Sequence, residues 1–322
     1  MKDVDEIMNH PSNPPGPTRS ADSAETGAAQ EQGRRFESPS ALLGLRRPTP
    51  LPADASEAQR YRLHRRFDRM GRLVGDAGMR KLFASHVMVV GCGGVGSWAA
   101  EALARAGVGR LTLVDFDLVC VTNANRQLHA MKGTTGRAKV EVMADRLRSI
   151  HPTAAIEARQ TFYEADTSEE LMGLQPDLIV DAIDNLTAKT HLIATAKARG
   201  IPLIVSGGAS GRIDPTLVRV ADLTEVKGDP FLAQTRKLLR KHHGFGRDGR
   251  WDIETVHSLE PAAEPIELEY DAGVGFQCVC PQGENGKHTC DQRNLIYGTA
   301  GFVTGAFGLA CSARAVQHLL SA

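Results

Sequence analysis

Short apolar runs alternate with longer helix-compatible segments through the middle of the chain. The runs are four or five residues long and rich in β-branched side chains, as is typical of strands buried on both faces of a sheet. We predict strands at 86–90, 111–115, 155–159, 178–181 and 202–206, and helices at 97–107, 139–150 and 186–199. Strands that alternate with helices in this way predict an α/β fold, doubly wound around a mostly parallel sheet.

The pattern becomes looser after Gly207. A strand at 217–220 and a basic helix at 230–242 are predicted there. A long polar stretch, 243–292, follows and holds three cysteines. A loop of this length is uncommon unless it has a function, so we expect a C-terminal extension that carries a crossover loop.

The last part of the chain is apolar. Residues 294–313 are twenty residues without a charged side chain, just long enough to span a bilayer. Four glycines in this stretch lower both its helix propensity and its hydrophobicity. We therefore expect a buried or dimer-interface helix, with a membrane-associated helix as the alternative.

Composition excludes several classes of protein. The 322 residues are 42% hydrophobic and 24% charged, which is enough for a substantial core. Lys plus Arg and Asp plus Glu both total 38, which excludes a protein that binds nucleic acid through a basic charge over its whole surface. A local basic patch is not excluded. Six cysteines are too few for a disulfide scaffold.

The N-terminal segment differs from the rest. Half of the 16 prolines fall within the first 52 residues, mixed with Ser, Ala, Gly and Glu. We predict a disordered leader at 1–58, with a partner-binding tail as the alternative, and a folded domain at 59–322. The first ten residues carry three acidic side chains and no apolar run, so neither a secretory signal nor a transit peptide is expected. The predicted location is the cytoplasm.

A glycine motif lies between the first predicted strand and the following helix. Gly91-x-Gly93-x-x-Gly96 lets the backbone approach phosphate oxygens, and the helix start supplies unpaired N–H donors. Asp115, 19 residues after Gly96, stands where a carboxylate can bind ribose hydroxyls. The motif predicts a nucleotide site in a Rossmann-like fold, and leaves a dinucleotide or ATP as the ligand.

The segments that follow are dense in polar groups. Hydride transfer does not require Arg, Lys and Asp around the phosphates, whereas nucleotidyl transfer uses cations to offset triphosphate charge and a carboxylate to hold Mg²⁺. These polar residues favour an ATP-dependent enzyme over a nicotinamide-dependent oxidoreductase or a nucleotide-binding module without catalytic activity. The candidate residues are Asp115, Asp117, Asn123, Arg126, Lys139, Asp184 and Asn185.

Each candidate also has a purely structural interpretation. Arg126 could pair with Asp117, and Lys139 could be a solvated lysine at a helix start. Asp184 could cap the next helix together with Asn185. Asn123 could be a turn residue.

The combined pattern resembles the ThiF/MoeB-like adenylating family, which is related to ubiquitin-activating enzymes. The resemblance runs from about residue 65 to the C-terminus and rests on GxGxxG, DxD, N-x-x-RQ, a following Lys and D-x-x-D-N. It implies a homodimer that binds ATP and Mg²⁺ and joins a carboxylate to AMP. It implies that Asp115 binds ribose, Asn123 and Arg126 contact triphosphate, Lys139 binds phosphate, Asp184 holds Mg²⁺, and Arg69 reaches the partner subunit's nucleotide. Gly91, Gly93, Gly94, Gly96, Asp117 and Asn185 complete the implied nucleotide site.

Four segments are similar to one branch of that family, the tRNA threonylcarbamoyladenosine dehydratases. They are residues 119–127, 181–184, 207–216 and 302–308. The resemblance implies that the enzyme adenylates the side-chain carboxylate of a modified adenosine in tRNA, and that the adjacent carbamoyl group then displaces AMP. It also implies that residues 207–322 face the substrate.

The alternative within the family is adenylation of the C-terminal glycine of a ubiquitin-like sulfur-carrier protein. A cysteine desulfurase or sulfur-acceptor protein is a further predicted partner. Members that charge such carriers usually bear two Cys-x-x-Cys pairs for Zn²⁺. This chain has instead Cys278-x-Cys280 and Cys290, with His288 nearby. Whether these cysteines bind a metal is left open by their spacing.

A tRNA substrate should leave an electrostatic footprint. Arg236, Lys237, Arg240 and Lys241 lie together on the predicted basic helix, where they suit contacts with phosphates. A solvated basic helix face is the alternative. We predict that these four residues contact tRNA.

Overall fold

The structure, a computed structural model, describes residues 65–269 and 297–322. The predicted leader and the cysteines at 278, 280 and 290 therefore lie outside the described residues, as do residues 270–292 of the predicted crossover loop. The described part contains a sheet of seven strands with helices around it.

The sheet is parallel except at one edge. Its strand order is β3-β2-β1-β4-β5-β7-β6, and only the β6–β7 pair is antiparallel. β1 lies in the centre, and all five of its residues are buried, as expected for a strand covered on both faces. The strands are β1 (His86–Val90), β2 (Arg110–Val114), β3 (Ala155–Arg159), β4 (Leu178–Asp181), β5 (Leu203–Ser206), β6 (Val218–Asp222) and β7 (Glu254–Ser258).

The helices connect and cover the strands. α1 changes direction at Gly75, whose φ of 72° lies outside the helical region. α2 ends at Gly107, a C-cap with a φ of 96° that favours glycine, as the sequence predicts. The helices are α1 (Asp68–Ala84), α2 (Gly96–Ala106), α3 (Lys139–Ile150), α4 (Ala165–Gly173), α5 (Leu186–Ala198), α6 (Pro230–His242) and α7 (Gly301–Ser321).

The doubly wound, mostly parallel α/β fold is confirmed, and α4 and β7 are among the elements that the sequence analysis did not predict. α4 was not predicted because its nine residues bury only Ser168, Leu171 and Met172. β7 lies inside the stretch expected to be a loop, and its sequence Glu-Thr-Val-His-Ser holds a single aliphatic residue. β7 is inserted between β5 and β6, and this position buries its polar side chains.

The uncharged C-terminal segment forms most of α7, which packs mainly against α2. Val303, Phe307 and Cys311 are fully buried on this helix. A Cβ at Gly308 would lie 2.5 Å from the carbonyl oxygen of Val95, so the glycine permits close helix packing. None of the helices in the described part is long and apolar enough to cross a membrane. Residues 301–313 of the segment therefore belong to a helix with a buried face, and Gly301 and Gly308 serve packing within the domain.

Candidate functional site

A cavity of about 500 Å³ opens at the carboxyl ends of β1, β2, β4 and β5. Strand order reverses between β1 and β4, and such a switch point is where doubly wound proteins bind their ligands. The cavity has two parts. The glycine-loop half is lined by Gly91, Gly93, Gly94, Asp115, Asp117, Arg126, Lys139, Asp184 and Asn185. The β5 half is lined by Ser206–Ser210, Arg212, Asp229, Phe231, Ala262, Tyr297 and Thr299.

The glycine loop needs glycine at two places. Gly91 has a φ of 89°, and a Cβ there would lie 2.7 Å from the carbonyl oxygen of Ala182. A Cβ at Gly96 would lie 1.7 Å from the carbonyl oxygen of Gly91, so Gly96 serves close packing and does not line the cavity. No described side chain caps α2. Ser97 N donates to the carbonyl oxygen of Gly93 at 3.1 Å, and the other N–H groups of the first turn can bind an anion in the cavity.

Asp115 and Asp117 follow β2, and Lys139 holds them together. Asp115 accepts hydrogen bonds from the backbone N–H of Cys92 at 2.7 Å and of Asp117 at 2.8 Å. Lys139 Nζ lies 2.6 Å from Asp117 Oδ2. Burial raises the pKa of Asp115. Burial opposes the charge on Lys139 as well, but Asp115 and Asp117 outweigh it and raise the lysine pKa. Lys139 is thus a buried cation and not a solvated lysine.

The loop after β4 presents one exposed carboxylate. Asp184 is exposed in the wall of the cavity, and its charge acts on Lys139. Asn185 caps α5, because its Oδ1 accepts a hydrogen bond from Ala188 N at 3.0 Å. The cap predicted for this pair is therefore made by Asn185.

A fully buried ion pair lies beneath that loop. Lys189 Nζ lies 2.7 Å from Asp181 Oδ2, and neither side chain is exposed. Asp181 Oδ1 also accepts a hydrogen bond from Ile183 N at 3.0 Å. Asp181 thereby fixes the loop that carries Asp184.

Arg126 and Asn123 come from the segment after β2. Arg126 lines the cavity, and its Nη1 donates to the carbonyl oxygen of Thr122 and to Asn125 Oδ1, both at 2.9 Å. Asn123 does not line the cavity: its Oδ1 accepts a hydrogen bond from Cys120 N at 3.0 Å, within a short 3₁₀ turn. In this structure Asn123 has the turn role. Arg69 is exposed on α1 and is also absent from the cavity lining.

Several cavity residues were not identified from the sequence. Phe116 and Phe162 meet edge to face, with ring centroids 5.0 Å apart, and they give the glycine-loop half an apolar wall next to Asp115. Arg212 and Asp229 form a buried pair in the β5 half. The Gly-Gly-Ala-Ser-Gly-Arg run was the only sequence pattern that pointed to this half.

The basic helix α6 begins at the cavity and leads away from it. Asp229 caps it by accepting a hydrogen bond from Leu232 N. Arg236 donates to the carbonyl oxygen of Leu223 at 3.1 Å, and the Arg240 guanidinium lies 5.2 Å from the centre of the Trp251 ring. Lys237 and Lys241 are exposed on the same helix. Two of the four predicted contacts therefore also support the fold.

Comparison with known proteins gives a consistent result. The profile of the ThiF family matches residues 67–322. A tRNA threonylcarbamoyladenosine dehydratase of Haemophilus influenzae is 37% identical over 79% of this chain and 93% of that protein. The Escherichia coli enzyme of the same name is 38% identical over 80% of this chain and 94% of its own length. The solved structure of the Escherichia coli enzyme in complex with ATP superimposes with a TM-score of 0.69 at 36% identity, covering 82% of this chain and 96% of that one.

Proposed function

The chain belongs to the ThiF family, and from this premise we propose that it closes the ring of threonylcarbamoyladenosine in tRNA, using ATP. One structural observation carries the proposal. A single cavity joins a phosphate-binding loop, flanked by Lys139 and Asp184, to a second half with room for an acceptor. The relatives named as dehydratases match this chain over nearly their whole length, which supports this function over activation of a sulfur-carrier protein.

The reaction has two steps. An oxygen of the threonyl carboxylate attacks the α-phosphorus of ATP, and pyrophosphate leaves. The carbamoyl group next attacks the activated acyl carbon, and AMP leaves with the oxygen that made the attack. The second step is intramolecular, so proximity alone can supply an effective molarity of about 10⁵ M or more.

The residues of the glycine-loop half suit the first step. Lys139 and Arg126 offset negative charge on the triphosphate, and Asp115 receives the ribose hydroxyls. Lys139 needs no rearrangement to do this, because Asp117 already holds its ammonium group. The N-terminus of α2 adds backbone donors for phosphate oxygens. Gly91, Gly93 and Gly94 permit the close approach.

Mg²⁺ fits the donors that are present. In residues 65–269 and 297–322 no group of three or more His, Cys, Asp or Glu side chains could hold a metal alone. Mg²⁺ is commonly bound through one or two carboxylates together with substrate phosphates and water, and the exposed carboxylate of Asp184 fits that role. When bound, Mg²⁺ would neutralise charge on the leaving pyrophosphate.

The tRNA would be bound along α6. Lys237 and Lys241 are exposed for phosphate contacts, and Arg236 and Arg240 add charge to the same helix. Because α6 starts at the β5 half, a bound tRNA backbone would bring its modified nucleotide to the cavity. We assign the substrate-facing role to residues 207–322 on this basis.

The proposal extends to assembly and location. We infer a cytoplasmic homodimer in which Arg69 of one protomer completes the nucleotide site of the other. This would account for an arginine that is exposed and does not line the cavity of its own chain. A cysteine desulfurase or sulfur acceptor stays a predicted partner.

Nucleoside analysis of cellular tRNA tests the function. We expect a strain that lacks this protein to accumulate linear threonylcarbamoyladenosine, and the intact gene to restore the cyclic product. A copy with Lys139→Met should not restore it. Unchanged cyclic product in the deletion strain, with no second enzyme of this family present, would contradict the proposal.

A further inference from the structure

Arg212 is the one cation among the described residues that line the β5 half. Its side chain is 2% exposed. Nε donates to the carbonyl oxygen of Glu260 at 2.8 Å, and Nη1 donates to the carbonyl oxygens of Gly208 and Ser210. The guanidinium is therefore held by two separate segments of the cavity wall and cannot swing freely.

The second terminal nitrogen of the guanidinium, Nη2, makes no such hydrogen bond within residues 65–269 and 297–322. Nη2 is buried and has no hydrogen-bond partner among the described residues. Its nearest carboxylate oxygen, Asp229 Oδ2, lies 3.8 Å away, too far for a hydrogen bond. Asp229 is already engaged, since it accepts hydrogen bonds from Gly208 N and Leu232 N, each at 3.0 Å.

An unused charged donor of this kind points to an anionic ligand. A buried donor without an acceptor is unfavourable by about 1–3 kcal/mol, and more when it is charged. A planar guanidinium suits a carboxylate, and a site sheltered from water strengthens the interaction. Because the glycine-loop half has Lys139 and Arg126 for the triphosphate, the anion left for Arg212 is that of the acceptor.

We propose that Arg212 binds the substrate carboxylate that is to be adenylated, donating from Nη2 to the oxygen that does not attack phosphorus. This inference rests on the proposed function and adds a residue that selects for an acid in the β5 half. Arg212 would hold the carboxylate in place while the second oxygen faces the nucleotide.

The test compares two ligands on the same protein. Anticodon stem-loop RNAs would carry either threonylcarbamoyladenosine or its methyl ester, and binding would be measured with a non-hydrolysable ATP analogue present. We expect the wild-type protein to prefer the acid by about tenfold or more, as a charge-assisted hydrogen bond predicts. Arg212→Gln should bind both RNAs within about twofold of each other, and its affinity for the ATP analogue should not change.

Two further variants separate binding from folding. Arg212→Lys keeps the charge without the planar fork, so we expect an intermediate preference. Arg219→Gln, on exposed β6, should keep the full preference. If Arg212→Gln does not fold, the ratio of acid to ester affinity in Arg212→Lys, compared with the wild-type ratio, still tests the role of Arg212.

Four results would overturn the inference. A wild-type protein that cyclises the tRNA but binds acid and ester equally leaves the function intact and refutes the role of Arg212. An Arg212→Gln variant that keeps the preference also refutes it. If Arg212→Gln binds the ATP analogue more weakly but still prefers the acid RNA over the ester RNA, Arg212 would be assigned to the triphosphate. A wild-type protein that forms no cyclic product refutes the proposed function, and the inference with it.

Discussion

The two halves of the cavity are built in different ways. In the glycine-loop half the charged groups already contact each other: Asp115 accepts two backbone hydrogen bonds and Lys139 pairs with Asp117. In the β5 half Arg212 keeps donors without a partner. The first half is thus organised before its ligand arrives, whereas the second is completed by its ligand. The glycine-loop half is formed by the segments that follow β1, β2 and β4, whereas the β5 half also draws on segments as distant as Ala262 and Thr299.

Removal of Lys139 should cause the largest loss of activity and stability in the glycine-loop half. Lys139→Met leaves Asp115 and Asp117 without their cation. Loss of one half of a fully buried ion pair is destabilising by about 3–5 kcal/mol, and we expect less than this here because the Asp117 side chain is 26% exposed. We expect ATP-dependent turnover to fall by about a thousandfold. Turnover and thermal unfolding should be measured together.

A second substitution separates stability from chemistry in this variant. Asp117→Asn combined with Lys139→Met removes both charges of the pair but leaves Asp115 without its cation, so the melting temperature should recover in part while turnover stays low. Lys132→Ala, an exposed lysine on a nearby loop, serves as control and should resemble wild type. Turnover that recovers together with stability would argue against a role of Lys139 in phosphate binding.

Substitution of Asp184 tests the same half without affecting its folding. Because Asp184 is exposed, Asp184→Asn should leave the melting temperature unchanged. We expect turnover to fall by about a hundredfold and the Mg²⁺ concentration at half-maximal rate to rise. Kinetics over a Mg²⁺ titration measure both quantities. A lower rate with an unchanged Mg²⁺ requirement would place the metal elsewhere.

Changes on α6 should affect the acceptor side alone. Lys237→Ala combined with Lys241→Ala removes two exposed charges and spares Arg236 and Arg240, which also support the fold. We expect tRNA affinity to fall by about tenfold and the slope of log affinity against log salt to shrink by about 0.7–0.9 for each lost contact.

The affinity for ATP should not change in that double variant. Alanine at Lys132 and Lys197, exposed lysines on other elements, provides a control with the same loss of charge. Equal losses of tRNA affinity in the two double variants would mean that net charge, and not the position on α6, is responsible.

The last expected effect concerns pH and stability, not catalysis or binding. Burial lowers the pKa of His129 from 6.5 to about 3, and its ring contacts Gln127 in the cavity wall. In the unfolded chain His129 is protonated below about pH 6.5, whereas in the folded chain it stays neutral. The folded state is therefore not penalised above pH 6.5, and its free energy of unfolding decreases as the pH falls below that value. The loss at pH 5 should be about 2 kcal/mol.

Denaturant unfolding at several pH values measures this loss. His129→Gln cannot titrate, so its free energy of unfolding should fall less steeply between pH 7 and pH 5. His242→Gln, on exposed α6, should follow the wild-type curve. Identical slopes for wild type and His129→Gln would refute the assignment.

The same contrast explains what the sequence could predict. The strands at 86–90 and 178–181 have the predicted bounds, because short apolar runs buried on both faces give a strong pattern. The edge strand at 155–159 also has the predicted bounds, although Ile156 is its one buried residue. Asp115, Lys139 and Asp184 were identified because each follows or begins a predictable element. Their convergence on one cavity follows from the parallel sheet, whose carboxyl ends share one edge.

Other features could not be read from local patterns. The sequence of β7 looks like an exposed loop because it is polar. The strand is nevertheless buried, because it lies between β5 and β6 in the sheet. Arg212 contacts Glu260 and Asp229, which are 48 residues and 17 residues away in the chain, so no local motif identifies it. Asn123 was expected at the triphosphate, and its side chain instead closes its own turn.

Oxygen transfer tests the central claim most directly. Purified protein would be given ATP, Mg²⁺ and tRNA whose threonylcarbamoyl carboxylate carries heavy oxygen, and the products would be analysed by mass spectrometry. Attack of the carboxylate on the α-phosphorus predicts that each cyclised nucleotide yields an AMP carrying a heavy oxygen, together with unlabelled pyrophosphate. Cyclic product with unlabelled AMP, or with ADP and phosphate, would contradict adenylation in this cavity.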